Sequence, residues 1–119
     1  MKKAHALTAL AALAQDNRLD AFRLLVEAGP EGMPAGAVAT ALKLAPNALT
    51  FHLDRLREAG LVTVRRNGRS MIYAAQYDTM NALLAYLTEN CCRGRPDECV
   101  SANTGKAARA SARRKEAVT

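Results

Sequence analysis

At 119 residues, with no tryptophan and 4 % aromatic residues, the chain can bury one small core made mostly of Leu, Val and Ala, which suits helices better than a β-sandwich. No apolar run approaches the roughly 18 residues of a membrane span, so a membrane partner is excluded. The net charge of +6 is uneven, with +2 in residues 1–90, balance in 91–100 and +4 in 101–119, so the excess belongs mainly to a basic tail that reads as solvated and disordered.

Residues 4–14 are Ala-rich, with Leu7, Leu10 and Leu13 at helical spacing. Lys2 and Lys3 before this stretch mimic a secretory signal, but His5 and Thr8 interrupt the apolar run and no convincing cleavage site follows. An ordinary helix and a cytoplasmic location are the expectation. Asp16 or Asn17 can cap a second helix carrying Leu19, Phe22, Leu25 and Val26 on one face, closed by Gly29 and Pro30. Pro34 opens a third helix with Ala35, Val38, Ala39 and Leu42 inward. After a break at Leu44 and Ala45, Pro46 opens a fourth, with Leu49, Leu53 and Leu56 inward and Gly60 as its stop.

The apolar period then changes from 3.6 to 2. Leu61 to Arg66 and Arg69 to Ala75 read as two strands joined by Asn67-Gly68, the dipeptide preferred by a type I′ hairpin turn. A last helix is expected over Thr79 to Asn90, with Met80, Leu83, Leu84 and Leu87 on one face. The predicted fold class is mainly α with a β-hairpin wing (α+β), a winged helix-turn-helix. Residues 1–92 form its DNA-binding and dimerisation domain, 91–100 a cysteine-containing inducer-binding segment and 101–119 the basic tail.

In such a fold the second helix of the pair enters the major groove, and its N-terminal half reaches base edges. With the leucines inward, Asn47, Thr50, Phe51 and Arg55 lie on or toward the opposite side. Asn pairs with adenine, and Thr bonds a base or touches a thymine methyl. Phe51 suits a thymine methyl or a core edge. His52, beside the leucine stripe, is either a core-edge histidine or a further DNA contact. Arg65, Arg66 and Arg69 crowd the hairpin tip, where a wing lies along phosphates or in the minor groove. A solvated helix face is the plain alternative for the helix residues, and the basic hairpin weighs against it.

The cysteines, Cys91, Cys92 and Cys99, cluster just beyond the last expected helix. Thiolates are ligands for soft ions. As(III) and Sb(III) favour three sulfurs in a pyramid, whereas zinc prefers four ligands, for which Asp97 or Glu98 would have to serve. Gly94 and Pro96 let the chain turn so that the sulfurs converge, and Arg93 and Arg95 favour thiolates. A thiol-redox switch, with Cys99 bonded to Cys91 or Cys92, and a site for another soft metal are the alternatives. A thiol enzyme is disfavoured: there is no Cys-x-x-Cys, no phosphate-cradling loop and no base paired with a nucleophile.

Leu13-Ala14, Asn17-Arg18-Leu19, the run Ala48-Leu49-Thr50-Phe51-His52-Leu53 with Leu56-Arg57-Glu58-Ala59-Gly60-Leu61-Val62, then Arg69 and Ile72-Tyr73, resemble the ArsR/SmtB family of metal-responsive repressors. The resemblance covers about residues 4–90. It implies a homodimer pairing its first and last helices, a pseudo-palindromic double-stranded operator upstream of metalloid-detoxification genes, and no further protein partner. The best-known arsenic sensors carry a Cys-Val-Cys motif in the first helix of the helix-turn-helix, where this chain has Met33 to Ala39 without a thiol. A branch of the family places its thiols after the last helix, and this chain resembles that branch. The expectation is a repressor, not an enzyme, released by As(III) or Sb(III) on Cys91, Cys92 and Cys99, with no organic cofactor.

Overall fold

The computed structural model describes residues 1–94; Cys99 and the basic tail lie outside the described residues. Its contacts divide the chain into two units, Met1–Tyr86 and Leu87–Thr119. The chain runs α1 (Lys3–Leu13), α2 (Asp16–Ala28), β1 (Met33–Pro34), α3 (Ala35–Leu42), α4 (Pro46–Glu58), β2 (Val62–Asn67), β3 (Ser70–Ala75) and α5 (Tyr77–Leu87), followed by a short 3-10 turn at Cys91–Gly94. The winged helix-turn-helix read from the periodicities is therefore the fold found.

The core is aliphatic. Val38, Leu25, Leu49, Leu53, Leu56 and Leu61 are its largest fully buried side chains, and no polar or charged residue among those described is buried with them. Burying each leucine contributes about 1.5–3 kcal/mol. Since three of them come from α4, core packing holds that helix and leaves its other side outward. Helix α2 touches α1, α3, α4 and β3.

Four local expectations are corrected. In α1 the buried residues are Ala6, Ala9 and Ala12, while Leu7 and Leu10 are exposed and Leu13 is half-buried. Alanine lets the helix approach the core closely, and the bulkier leucines are displaced to the outer side. In α2 the cap is Gln15, whose side chain accepts the Arg18 N–H at 2.9 Å, in place of Asp16 or Asn17, and Leu19 is exposed.

The hairpin turn sits one residue later than Asn67-Gly68. Asn67 pairs with Ser70, so the two-residue loop is Gly68-Arg69, and only Gly68 there has positive φ, at 64°. Glycine first with one positive φ is the pattern of a type II′ turn. Finally, α5 starts at Tyr77, whose hydroxyl donates to the Val26 carbonyl at 2.9 Å, and ends at Leu87 rather than Asn90. Of its expected inner face only Leu83 is buried; Met80 is half-buried, and Leu84 and Leu87 are exposed.

The sheet also has a strand that the periodicity did not show. Met33 and Pro34 pair with Tyr73 and Ile72, which makes β3 the central strand of an antiparallel sheet ordered β1-β3-β2. Two residues are too few for an alternation signal. Gly32 permits the pairing: at φ 76° a Cβ would collide with the Tyr73 carbonyl. The wing is thereby tied to the start of α3.

Candidate nucleic-acid interface and cysteine segment

Helices α3 and α4 are joined by a turn with Lys43 in the left-handed conformation, φ 58°. Its N–H and that of Leu44 bond back to the last carbonyls of α3, and Ala45 and Pro46 open α4 at once. Pro46 has no N–H to lose, and no side chain caps the remaining first-turn donors, which leaves that helix end suited to a phosphate oxygen.

Asn47, Thr50, Phe51 and Arg55 are all exposed on α4, opposite the buried Leu49, Leu53 and Leu56. The Thr50 hydroxyl donates to the Pro46 carbonyl at 2.9 Å, so its proton is already used within the helix. Toward a base it retains acceptor lone pairs and its methyl group. Phe51 is 54 % exposed, far too open for a core edge. The Arg55 guanidinium lies over its ring, 5.3 Å from the centroid, and the His52 ring meets it edge-on at 5.7 Å. Arg55 is also paired with Glu58 at 3.2 Å, and Arg57 with Asp54 at 3.7 Å. Both pairs are exposed and contribute little to stability, but the first orients Arg55.

His52 is half-buried, and its Nδ1 is buried with no hydrogen-bond partner. Burial first, and the charge of Arg18 second, hold its pKa below the ordinary 6.5. The imidazole is therefore neutral at neutral pH and packs at the edge of the core beside Phe51. Tyr73, on the buried central strand, is shifted the opposite way, up from 10.0: burial is the main cause, Asp54 adds to it and Arg57 opposes it.

On the wing Arg65, Arg66 and Arg69 are all exposed. Arg65 donates to the Glu31 carbonyl at 3.1 Å, which ties the middle of β2 to the loop before β1. Arg66 donates through Nε to the Gly68 carbonyl at 3.2 Å, and Arg69 stands in the turn itself. Arg65 thus stands midway along β2, and Arg66 and Arg69 stand at the hairpin tip. Glu31 meets Arg65, Glu58 meets Arg55, and the Arg18 charge acts on His52; sequence reasoning missed Glu31 and Arg18. Arg18 lies on a helix at a position that looks merely solvated, and Glu31 acts through its backbone.

In the second unit, Asn90 at 59°, Cys92 at 56°, Arg93 at 59° and Gly94 at 79° all have positive φ. The Cys91 N–H bonds to the Thr88 carbonyl at 2.9 Å. This backbone places the Cys91 and Cys92 sulfurs 3.5 Å apart, both half-buried. That is well beyond the roughly 2.05 Å of a covalent S–S bond. The third cysteine, Cys99, falls outside the described residues, and among those described no group of three metal-binding side chains stands together. No described helix is long and apolar enough to cross a membrane.

Residues 13–65 match the family model of a helix-turn-helix domain. The chain is similar to the nodulation protein NolR of Rhizobium meliloti, 34 % identical over 80 residues, which are 67 % of this chain and 63 % of that protein. It therefore spans just under two thirds of that relative's length. The crystal structure of NolR from Sinorhizobium fredii superposes with a TM-score of 0.58 at 34 % identity over 71 % of this chain and 82 % of that one. An ArsR-like transcriptional regulator from Rhodococcus gives 0.63 at 27 % identity over 87 % and 93 % of the two chains. A homodimeric winged helix-turn-helix DNA-binding domain from Mycobacterium bovis gives 0.59 at 26 % over 72 % and 80 %. Fold, recognition helix and these likenesses agree: the chain belongs to the ArsR-type winged helix-turn-helix transcriptional regulators, which are DNA-binding proteins and not enzymes.

Proposed function

We propose that the chain is a homodimeric repressor that grips a two-fold operator with α4 and the wing, and lets go when As(III) or Sb(III) is held by Cys91, Cys92 and Cys99. The observation that carries the metalloid reading is the convergence of the first two sulfurs. An ion bonded to both at about 2.3 Å, the thiolate–zinc length, would span an S–ion–S angle of about 100° at the observed 3.5 Å separation. Such a separation lets one soft ion bridge both sulfurs, and Cys99 would supply the third. The turn follows α5, on which Leu84 is exposed, as are Leu7 and Leu10 of α1. These leucines are the apolar surface through which a second copy would pair. Drawing the thiols onto one ion reshapes the end of that helix and so the spacing of the two reading heads. A coupling of about 3 kcal/mol weakens operator affinity on the order of 100-fold.

The test is As(III) titration of the reduced full chain, bound to DNA from upstream of its own gene and followed by fluorescence anisotropy. Release is expected near one As(III) per three thiols, with little response to zinc or peroxide. The Cys92→Ser chain should bind the same DNA and stay bound. Release of that variant at the same As(III) concentration removes the site assignment. Release by peroxide and recovery with reductant would assign the thiols to redox sensing instead.

A further inference from the structure

Among the described residues, two enclosed side-chain nitrogens have no hydrogen-bond partner: Arg18 Nε on α2 and His52 Nδ1 on α4. The two helices pack on one another. Arg18 lies alongside Arg55 and Ala59, which follow His52 at helical spacing and share its flank of α4. Arg18 is also the charge that acts on the imidazole. The Arg55 guanidinium is turned instead to Glu58 and to the face of Phe51. A neutral imidazole carries one proton, so one of its nitrogens donates and the other accepts. A proton on the enclosed Nδ1 would be a buried donor with no acceptor, close to a guanidinium that repels it. A bare Nδ1 presents a lone pair to that positive charge. The proton therefore belongs on Nε2, which is open. The ring stands beside the exposed Phe51, between the buried leucines and the reading face. A helix lying in the major groove turns its flanks to the sugar–phosphate walls.

We propose that Arg18 is a positioning residue for DNA binding: its charge keeps the His52 proton on Nε2, and the open edge of the ring donates that N–H to a phosphate oxygen. Arg18 itself touches no DNA and acts through the ring. The contact brings a donor but no charge, unlike the phosphate contacts of arginine and lysine. The phosphate contact rests on α4 being the reading helix. The tautomer does not, and neither depends on the thiol segment.

The first measurement needs no DNA. Long-range proton–nitrogen correlation NMR of the reduced full chain at pH 8, with His5→Asn to assign the two histidines, should show His52 protonated on Nε2 and bare on Nδ1. Arg18→Met keeps an unbranched stem and removes the charge. It should raise the His52 pKa toward 6.5 and let the Nδ1–H form appear, with the fold intact by circular dichroism. A protonated Nδ1 in the parent chain, or a tautomer and pKa unmoved by Arg18→Met, overturns the inference. The second measurement is affinity for DNA from upstream of the gene, by anisotropy. His52→Met should weaken it about 10-fold, the scale of a hydrogen bond to a charged group, without changing the slope of log affinity against log salt. A cationic contact would lower that slope by about 1. His52→Gln puts an amide N–H near the place of Nε2–H and should recover most of the loss. Arg18→Met should weaken binding several-fold in the parent chain and not further in the His52→Gln chain, which has no tautomer to lose. Equal losses in the two backgrounds overturn the positioning role, and full affinity in His52→Met overturns the phosphate contact.

Discussion

Phe51 and His52 are neighbours in sequence with opposite fates. Phe51 leaves more than half of a large apolar surface in water, its ring sandwiched only by Arg55 and the edge of His52. Removing it should cost the fold little and the DNA complex much. Phe51→Ala is expected to leave the melting temperature nearly unchanged and to weaken operator binding about 10-fold or more, the range of a lost base contact, as measured by anisotropy. His52 is instead half-buried, with an enclosed Nδ1. Its pKa is lowered by burial and by Arg18, so the unfolded chain binds a proton more readily than the folded one. This group's destabilisation is absent well above pH 6.5. It sets in as the pH falls through 6.5 and levels off below the depressed folded value. Denaturant melts from pH 8 to 5 should show that loss, and His52→Gln should flatten it. An unchanged slope in the variant would separate His52 from the effect.

At the scale of elements, the wing depends on a contact invisible to periodicity. Gly32 lets β1 lie against β3 where a Cβ would strike the Tyr73 carbonyl, at a φ that L-residues avoid. Gly29 has a similar φ, 89°, but open space around it. The pair makes a controlled comparison. Gly29→Ala is expected to lose about 1–3 kcal/mol from backbone strain alone, since its ψ of −179° puts it in a region that is essentially glycine's. Gly32→Ala should lose about 2–4 kcal/mol, since overpacking adds to strain, and it should loosen the wing so that DNA affinity falls as well. Equal losses in the two variants, by urea titration, would show that the Tyr73 approach yields freely. Helix α4 is the reverse case. Its leucines at 49, 53 and 56 state their role through spacing alone, and the structure buries all three.

At the scale of the molecule, Leu7 and Leu10 of α1 and Leu84 of α5 are exposed, and the proposed dimer would cover them. Alanine lines the inner side of α1, and Leu7 and Leu10 are left for another surface. Leu7→Glu is expected to keep the helical content and to shift sedimentation equilibrium from dimer to monomer. Operator affinity should fall at least 10-fold, because a single reading head loses the second half-site. A Leu7→Glu chain that remains a dimer would place the interface elsewhere.

Much of this molecule was determined by local sequence rules. Proline at helix starts, glycine at ends and the change of apolar period announced the order of elements and the reading helix, because those signals act within a few residues. The register of the hairpin, one residue off the Asn67-Gly68 expectation, was settled by strand pairing across the sheet. The inward side of α1 was settled by how closely a helix of alanines can approach its neighbours, which the spacing of Leu7, Leu10 and Leu13 misread. Strand β1 and the hydrogen bond from Arg65 to the Glu31 carbonyl join residues about 30 to 40 positions apart. Such contacts exist only once the core has closed, so only the tertiary structure could decide them.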